Sequence, residues 1–383
     1  MREAQMKRTQ ELQRRMADER MDAVLLANPD SIYYFAGYCD YAGVEIGRPT
    51  LVFLPRDGAP VLITPKMEAE MGRNMSWIAD VREWVDGVDG EWTTPLKAVL
   101  GRGKLTLGVE RLLMPALVSE FLKSAFPGLG YADASPTIGA MRMIKSPDEI
   151  VVMRQAGQVA IAMVAAAEKT IGEGVPEYEV ALSIIAGGSR KAAEFLAESG
   201  PDRLVSPMIY NLQILQSGKD TAMVHRRSTV RRLKRGDPIY LCFCGIANFK
   251  QYKLGFDRQY FVREVSDEMA RTQETTLAAQ KAALDAIRPG VPAEDVHMAA
   301  EEVYRSAGFS PGYRTGRAIG CSMIEQPELK RGDRTPLRPG MTFAVDGGIT
   351  VPGRYGARVG DSIVVTDKGF DYLTPFRKGV VVL

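Results

Sequence analysis

The sequence predicts two successive domains of different class, an α/β domain followed by an α+β domain, and three observations lead to that reading. Up to residue 110, short apolar runs alternate with amphipathic stretches, as strands and helices in turn would produce. At Ser146-Pro147-Asp148-Glu149 the chain carries the S-x-x-E spacing of a capping box with proline at the first helical position, so a long helix starts there and a domain boundary lies just before it. Beyond that point helices are grouped with hairpin-rich strands, the mark of an α+β unit.

In order along the chain, the N-terminal stretch MREAQMKRTQELQRRMADER is charged at helical spacing and lacks the apolar centre of a signal peptide. DAVLLA, TLVFLP, PVLIT and KLTLGVE read as strands. A looser segment, YADASPTIGAMRMI, follows. Helical periodicity runs from 147 to about 171, restarts at Pro176, and returns over 265–288 and 292–307. PIYLCFC, RQYFV, TFAVDGGI and DSIVVTD are the strand-like runs of the second domain. There is no internal repeat of solenoid period and no low-complexity tract.

Bulk properties narrow the function. A chain of 383 residues at 45% hydrophobic content can bury a large core. Its 49 Lys+Arg against 47 Asp+Glu leave a formal charge of +2, too little to form an electrostatic footprint for nucleic acid or membrane, so a small-molecule ligand is expected. Four irregularly spaced cysteines, Cys39, Cys242, Cys244 and Cys321, fit a reducing compartment, and the cytoplasm is the expected location. No run of eighteen consecutive apolar residues occurs, which argues against a membrane span.

Several segments then carry a family resemblance. MRMIKSPDEIVVMRQAG resembles the interdomain segment of the pita-bread family, which holds methionine aminopeptidase, Xaa-Pro peptidases, creatinase and ectoine hydrolase. VPEYEVAL is similar to creatinase, and RTGRAIG with LKRGDRTPLRPGMTF to ectoine hydrolase. The resemblance implies a creatinase-type, ribonuclease H-like α/β domain over 1–138 and a pita-bread catalytic domain over 139–383. It also implies a homodimer whose active site lies at the subunit interface.

The family's metallopeptidases hold two metal ions with two aspartates, a histidine and two glutamates, ligands suited to hard or borderline ions. By the resemblance, the first aspartate falls at Cys242, the second near Gly255, the histidine at Arg317, one glutamate at Asp346 and the other at Gly360. A guanidinium at a ligand position repels metal, so neither a metal nor another cofactor is expected.

Creatinase works without metal through one histidine, and the matching residue is His225 in SGKDTAMVH. Histidine suits acid and base work near neutral pH. The glutamates that grip creatinase's guanidinium correspond to Asp257 and Asp346. Two aspartates facing one pocket repel unless a cation lies between them, so the pair points to a cationic or N–H-rich substrate. Gly47-Arg48-Pro49 reproduces the motif from which creatinase's partner subunit supplies a carboxylate-binding arginine, and Arg317 can project into the same cavity. Tyr252, Tyr34 and Tyr38 are candidates to line the pocket.

The expected activity is therefore metal-independent hydrolysis of a C–N bond in a small guanidino, ureido, amidine or amide compound, with His225, Asp257 and Asp346 catalytic and Arg48, Arg317 and Tyr252 binding substrate. The competing readings are an ectoine hydrolase-like ring opener, a non-catalytic binding protein on the same fold, and an Xaa-Pro dipeptidase-like peptidase. His297 reads as a helix-face residue. The six basic residues after His225 read as a solvated hairpin, since no aromatics are interleaved with them. Cys242 and Cys244 share one strand face but read as buried thiols, two ligands being a poor zinc site.

Overall fold

A computed structural model describes residues 2–39, 48–101, 103–198, 203–209 and 214–383. They form two compact units, Met1–Met141 and Arg142–Leu383.

The first unit contains α1 (Arg2–Asp18), β1 (Ala23–Leu26), α2 (Pro29–Ala36), β2 (Leu51–Pro55), β3 (Val61–Pro65), α3 (Lys66–Met75), β4 (Asp80–Trp84), α4 (Thr93–Leu100), β5 (Thr106–Val109), α5 (Ala116–Ala125), β6 (Gly130–Asp133) and α6 (Ser135–Met143). The strands make one sheet in the order β4-β3-β2-β1-β5-β6. β1 is central, antiparallel to β2 and parallel to β5. All four of its residues are buried, which is why its sequence is an unbroken apolar run and not an alternating one. Asn28 caps α2 through its side chain, Pro29 opens the helix, and Gly37 closes it at φ 75°, a conformation that suits glycine.

Two strands of this sheet, β4 and β6, were not expected from sequence. Both lie at sheet edges and are largely exposed, so they carry no apolar signal. The segment expected to be loose, YADASPTIGAMRMI, supplies β6 and α6 instead.

The second unit contains α7 (Pro147–Thr170), α8 (Glu177–Glu198), β7 (Ile214–Ser217), a 3-10 turn (Gly218–Ala222), β8 (Pro238–Cys242), β9 (Asn248–Phe249), β10 (Tyr252–Lys253), β11 (Asp257–Phe261), α9 (Asp267–Ala286), α10 (Ala293–Ser306), β12 (Gly316–Ala318), β13 (Glu325–Leu329), β14 (Thr342–Val351), β15 (Tyr355–Val365) and β16 (Phe370–Tyr372). The capping box at the start of α7 is formed as expected, with Ser146 and Glu149 each bonded to the other's backbone. α7 is long and apolar enough to span a membrane by length and composition. Its apolar residues are instead spent on packing: Met153, Ala156, Val159, Ala160, Met163, Val164 and Ala167 are buried. α8 packs closely against it, and a Cβ at Gly187 would stand 2.9 Å from the Ala162 carbonyl oxygen.

The eight-stranded sheet runs β13-β12-β14-β15-β11-β8-β7, with β16 beside β15. α9 and α10 cover it through a core that includes Ala279, Ala283, Val296, Ala300, Phe343, Val345 and Ile363. Only DSIVVTD was legible as strand near the end of the chain, yet β15 begins at Tyr355 and is buried throughout. Its first half is interrupted by Gly356, Arg358 and Gly360, which hide the period-two pattern.

Candidate active site

Strand register builds the site. Cys242 on β8 is the partner of Asp257 on β11, Asp257 is the partner of Gly360 on β15, and Gly360 is the partner of Asp346 on β14. One row across the sheet thus carries Cys242, Asp257, Gly360 and Asp346. Arg317 sits one strand beyond, on β12, paired with Ala344 of β14.

Arg317 folds back over that row. Its Nε donates to the Met323 carbonyl at 3.2 Å, one terminal nitrogen donates to Asp346, and the other donates to Cys244 Sγ at 3.1 Å. Its side chain is only 5% exposed, and that of Asp346 is 20% exposed. Burial works against the guanidinium charge, but Asp346, Cys244 and Asp257 hold its pKa above the usual arginine value. Asp257 is buried, and its carboxyl is pushed up to about 6, first by burial and then by the charge of Asp346. A hydrogen bond from Cys242 and the charges of Arg317 and Arg258 pull it the other way.

Two glycines make room for this arrangement. A Cβ on Gly360 would meet Asp257 Oδ2 at 2.7 Å and Asp346 Cβ at 3.1 Å. A Cβ on Gly255 would meet Ala344 Cβ at 2.5 Å and Arg317 at 3.2 Å. The sites where the resemblance places two metal-binding carboxylates are therefore filled by neighbouring side chains, Asp257 in one case and Arg317 in the other.

Behind the row, Asp361 accepts from Arg258 at 2.7 Å and from Lys378 at 2.7 Å, so its charge is satisfied away from the site. His297 is buried and hydrogen-bonded to the Thr315 hydroxyl at 2.8 Å, and Thr315 accepts the Asp346 backbone N–H through its carbonyl. Burial lowers the His297 pKa. This residue belongs to the support beneath Asp346, a role its place in a helical run did not reveal.

Of the residues expected from sequence, Asp257, Asp346 and Arg317 are brought together. His225 is not among them. It is exposed, and its segment lies along the free edge of β7, where Leu215 N–H donates to the Arg226 carbonyl at 3.1 Å. The four residues 210–213 that lead into β7 fall outside the described residues. Tyr252 is buried with its hydroxyl on Glu149 at 2.9 Å, a packing role that ties the β9–β10 hairpin to the start of α7. Tyr34 and Tyr38 bond to the Met141 carbonyl and to Glu68 within the first unit. Arg48 pairs with Asp86 at 2.6 Å, also within the first unit, while Gly47 of its motif falls outside the described residues. The basic run after His225 is engaged in ion pairs, Arg226 with Glu177, Arg231 with Asp237 and Arg235 with Glu264.

Sequence reasoning missed Cys244. Half-buried at the end of β8, its Sγ lies 3.8 Å from Asp257 Oδ1 and accepts from Arg317. The C-x-C spacing was visible, but the reason to single out its second member lay in the neighbours.

The fold and this row of positions define the class. Residues 151–367 match the Metallopeptidase family M24 and residues 8–144 the Creatinase/Prolidase N-terminal domain, and the chain belongs to that family. Among curated relatives it is 29% identical over 390 residues to an agropine synthesis cyclase of Rhizobium rhizogenes, covering 97% of this chain and 96% of the relative. It is 32% identical over 333 residues to a probable dipeptidase PepE of Mycobacterium tuberculosis, covering 84% and 82%. The dipeptidase PepE structure from Mycobacterium ulcerans superposes with TM-score 0.80 at 26% identity, covering 99% and 98%. The prolidase from Pyrococcus horikoshii superposes at 0.81 with 25% identity, covering 97% and 99%.

The residues of this row differ from those of the family's two-metal centre. Cys242, Cys244 and Asp257 bring three potential ligand atoms within 4.8 Å of one another. Yet Cys244 already accepts from a buried guanidinium, the Cys242 thiol is held protonated by its hydrogen bond with Cys244, by burial and by Asp257, and the resemblance places one of the five family ligands at Gly360 and another near Gly255. The donor set does not fit a pair of hard divalent ions.

Proposed function

We propose that this protein hydrolyses an amide-type C–N bond in a small, dipeptide-like molecule without a metal ion. The observation that carries this reading is the buried Arg317–Asp346 pair beside Asp257, whose carboxyl is pushed up to about 6. A group with a pKa near the working pH can take a proton from an attacking nucleophile and return it to the leaving nitrogen. Of the five N–H groups of a guanidinium, three of Arg317's have partners among the described residues, leaving two to face charge developing on a carbonyl oxygen.

The relatives named as dipeptidases and prolidases support a peptide-like substrate over a guanidino one. The geometry supports the same shift. A cationic substrate was expected because Asp257 and Asp346 needed a cation between them, and Asp346 already has one in Arg317. His225 stands in this proposal as a catalytic group by the resemblance to creatinase alone, and Arg48 as an arginine offered to the partner subunit of a cytoplasmic homodimer.

A second reading is ring closure or ring opening, favoured by the resemblance along 97% of the chain to a relative named as a cyclase. Both readings break or make a bond at one acyl carbon.

The test is a mass-spectrometric screen of chelator-treated protein against X-Pro and other dipeptides, carbamoyl amino acids, hydantoins, ectoine, creatine and guanidinoacetate. Turnover of an amide that survives chelator and is lost in Asp257→Asn supports the proposal. Turnover that appears only when divalent metal is added overturns it.

A further inference from the structure

We propose that Cys244 is a covalent nucleophile of this site, an inference that deepens the amide-hydrolase reading and rests on it for the natural substrate. Three features of the structure meet at its sulfur. Cys244 Sγ accepts a hydrogen bond from Arg317 at 3.1 Å, which holds the sulfur in place within the site. Asp257 Oδ1 lies 3.8 Å away, within hydrogen-bonding reach for sulfur, and serves as the acceptor of the thiol proton. Asp346 fixes Arg317 through its other terminal nitrogen and so orients the group that orients the nucleophile. Nucleophile, base and orienting ion pair thus form one connected set, the logic of a catalytic triad built on a strand end.

The backbone explains why Cys244 and not Cys242 is in this position. Pairing of β8 with β11 ends at Cys242 and Asp257, and Cys242 is 4% exposed. Cys244 follows two residues later, on the same side of the chain, where the hairpin is held by Phe243 N–H to Phe256 and Gly245 N–H to Leu254. It is half-buried, more open than Cys242.

In the first half-reaction the Cys244 proton passes to Asp257, an Sγ–C bond forms at the substrate carbonyl, and the C–N bond breaks as Asp257 hands the proton to the departing nitrogen. In the second, a water oxygen bonds to the same carbon, the S–C bond breaks, and the water proton returns through Asp257 to sulfur. One water is consumed and nothing is oxidised or reduced. If an internal hydroxyl or amine of the acyl group replaces water, the same intermediate closes a ring, which unites the peptidase-like and cyclase-like resemblances in one site.

Two probes test this on the full-length protein. With p-nitrophenyl acetate, the wild type releases a burst of about one nitrophenolate per chain, and peptide mapping finds the acetyl group on Cys244. With iodoacetamide, Cys244 is alkylated at least roughly tenfold faster than Cys39, Cys242 or Cys321, and Arg317→Met removes most of that advantage. Cys244→Ser and Cys244→Ala, shown by circular dichroism to be folded, abolish the burst.

A burst that persists in both variants overturns the proposal, as does alkylation of Cys244 no faster than that of the other three thiols. Amide turnover that survives in Cys244→Ala removes the nucleophile and leaves the hydrolase reading standing. A Cys244 burst and label in a protein that cleaves no amide removes the hydrolase reading and leaves the nucleophile standing. Tight binding of one zinc ion that shields Cys242 and Cys244 together also overturns it.

Discussion

Arg317 and Asp346, 29 residues apart in the chain, form a buried ion pair between the adjacent strands β12 and β14 of the second unit. Arg317 supplies the positive charge that faces Asp346 in this pair. Arg317→Met leaves Asp346 and Asp257 without their nearest cation. Removing one partner of a buried pair costs about 3–5 kcal/mol, and the double variant Arg317→Met/Asp346→Asn is expected to be more stable than Arg317→Met alone. A double-mutant cycle of chemical denaturation midpoints checks this. A loss in the double variant equal to the sum of the two single losses would mean that the pair is not coupled.

Asp257 makes stability fall with pH. Its folded-state value, about 6, lies above the ordinary 3.8, so the folded protein binds more protons than the unfolded one between those values. Its contribution is fully present below about pH 4 and is lost as pH rises through about 6. Asp257→Asn is expected to flatten this part of the profile and to be more stable than wild type above pH 7, by on the order of 2 kcal/mol. Activity moves oppositely: kcat/KM rises to a plateau with a midpoint near pH 6, and the variant loses roughly 100-fold or more. Urea melts and rate profiles over pH 4.5–9 (about the span in which one carboxyl can be followed) test both.

Gly255 and Gly360 separate packing from catalysis. At Gly255 an added Cβ meets another Cβ, that of Ala344, which cannot rotate away. Gly255→Ala should cost about 1–3 kcal/mol. At Gly360 the obstacle is mainly the Asp257 carboxylate, which can turn aside. Gly360→Ala is expected to lose activity with a smaller loss of stability. A reversed order of the two stability losses would contradict this packing.

Glu325 is held by Lys145 and Arg142, each at 2.7 Å. Burial opposes its charge, but these two cations win and keep its pKa near 2. Its contribution is present above the ordinary value of 4.5 and is lost as pH falls towards 2. Glu325→Gln should destabilise by about 3–5 kcal/mol at pH 7, because two buried cations lose their counter-charge. The gap between wild type and variant should shrink in melts at low pH, and a gap that does not change with pH would contradict it.

Arg48 and Asp86 form a partly exposed pair, and such pairs contribute about 0–1 kcal/mol. Arg48→Ala should therefore leave the melting temperature nearly unchanged. If Arg48 reaches the partner subunit's site in a dimer, KM rises at least roughly tenfold in the same variant. An unchanged KM in a dimer, or a wild type that is monomeric by light scattering, removes that role.

By itself the sequence determined the two-unit organisation and the long elements. The capping box at Ser146 and Glu149, the helical runs of α7–α10 and the unbroken apolar run of β1 are local signals, set by backbone capping and by the period of side-chain burial. It also named Asp257, Asp346 and Arg317. What it could not decide was their relation. Whether two aspartates call for a cationic substrate depends on whether a cation already lies beside them, and that depends on β12 and β14 being neighbours and on Gly255 and Gly360 leaving room. The edge strands β4 and β6 and the first half of β15 were hidden because hydrogen bonding to neighbours, and not their own apolar pattern, makes them strands. Cys244 was one thiol among four until the tertiary structure set Arg317 and Asp257 against its sulfur. Distances between residues far apart in sequence follow from strand pairing and close packing, which no local pattern encodes.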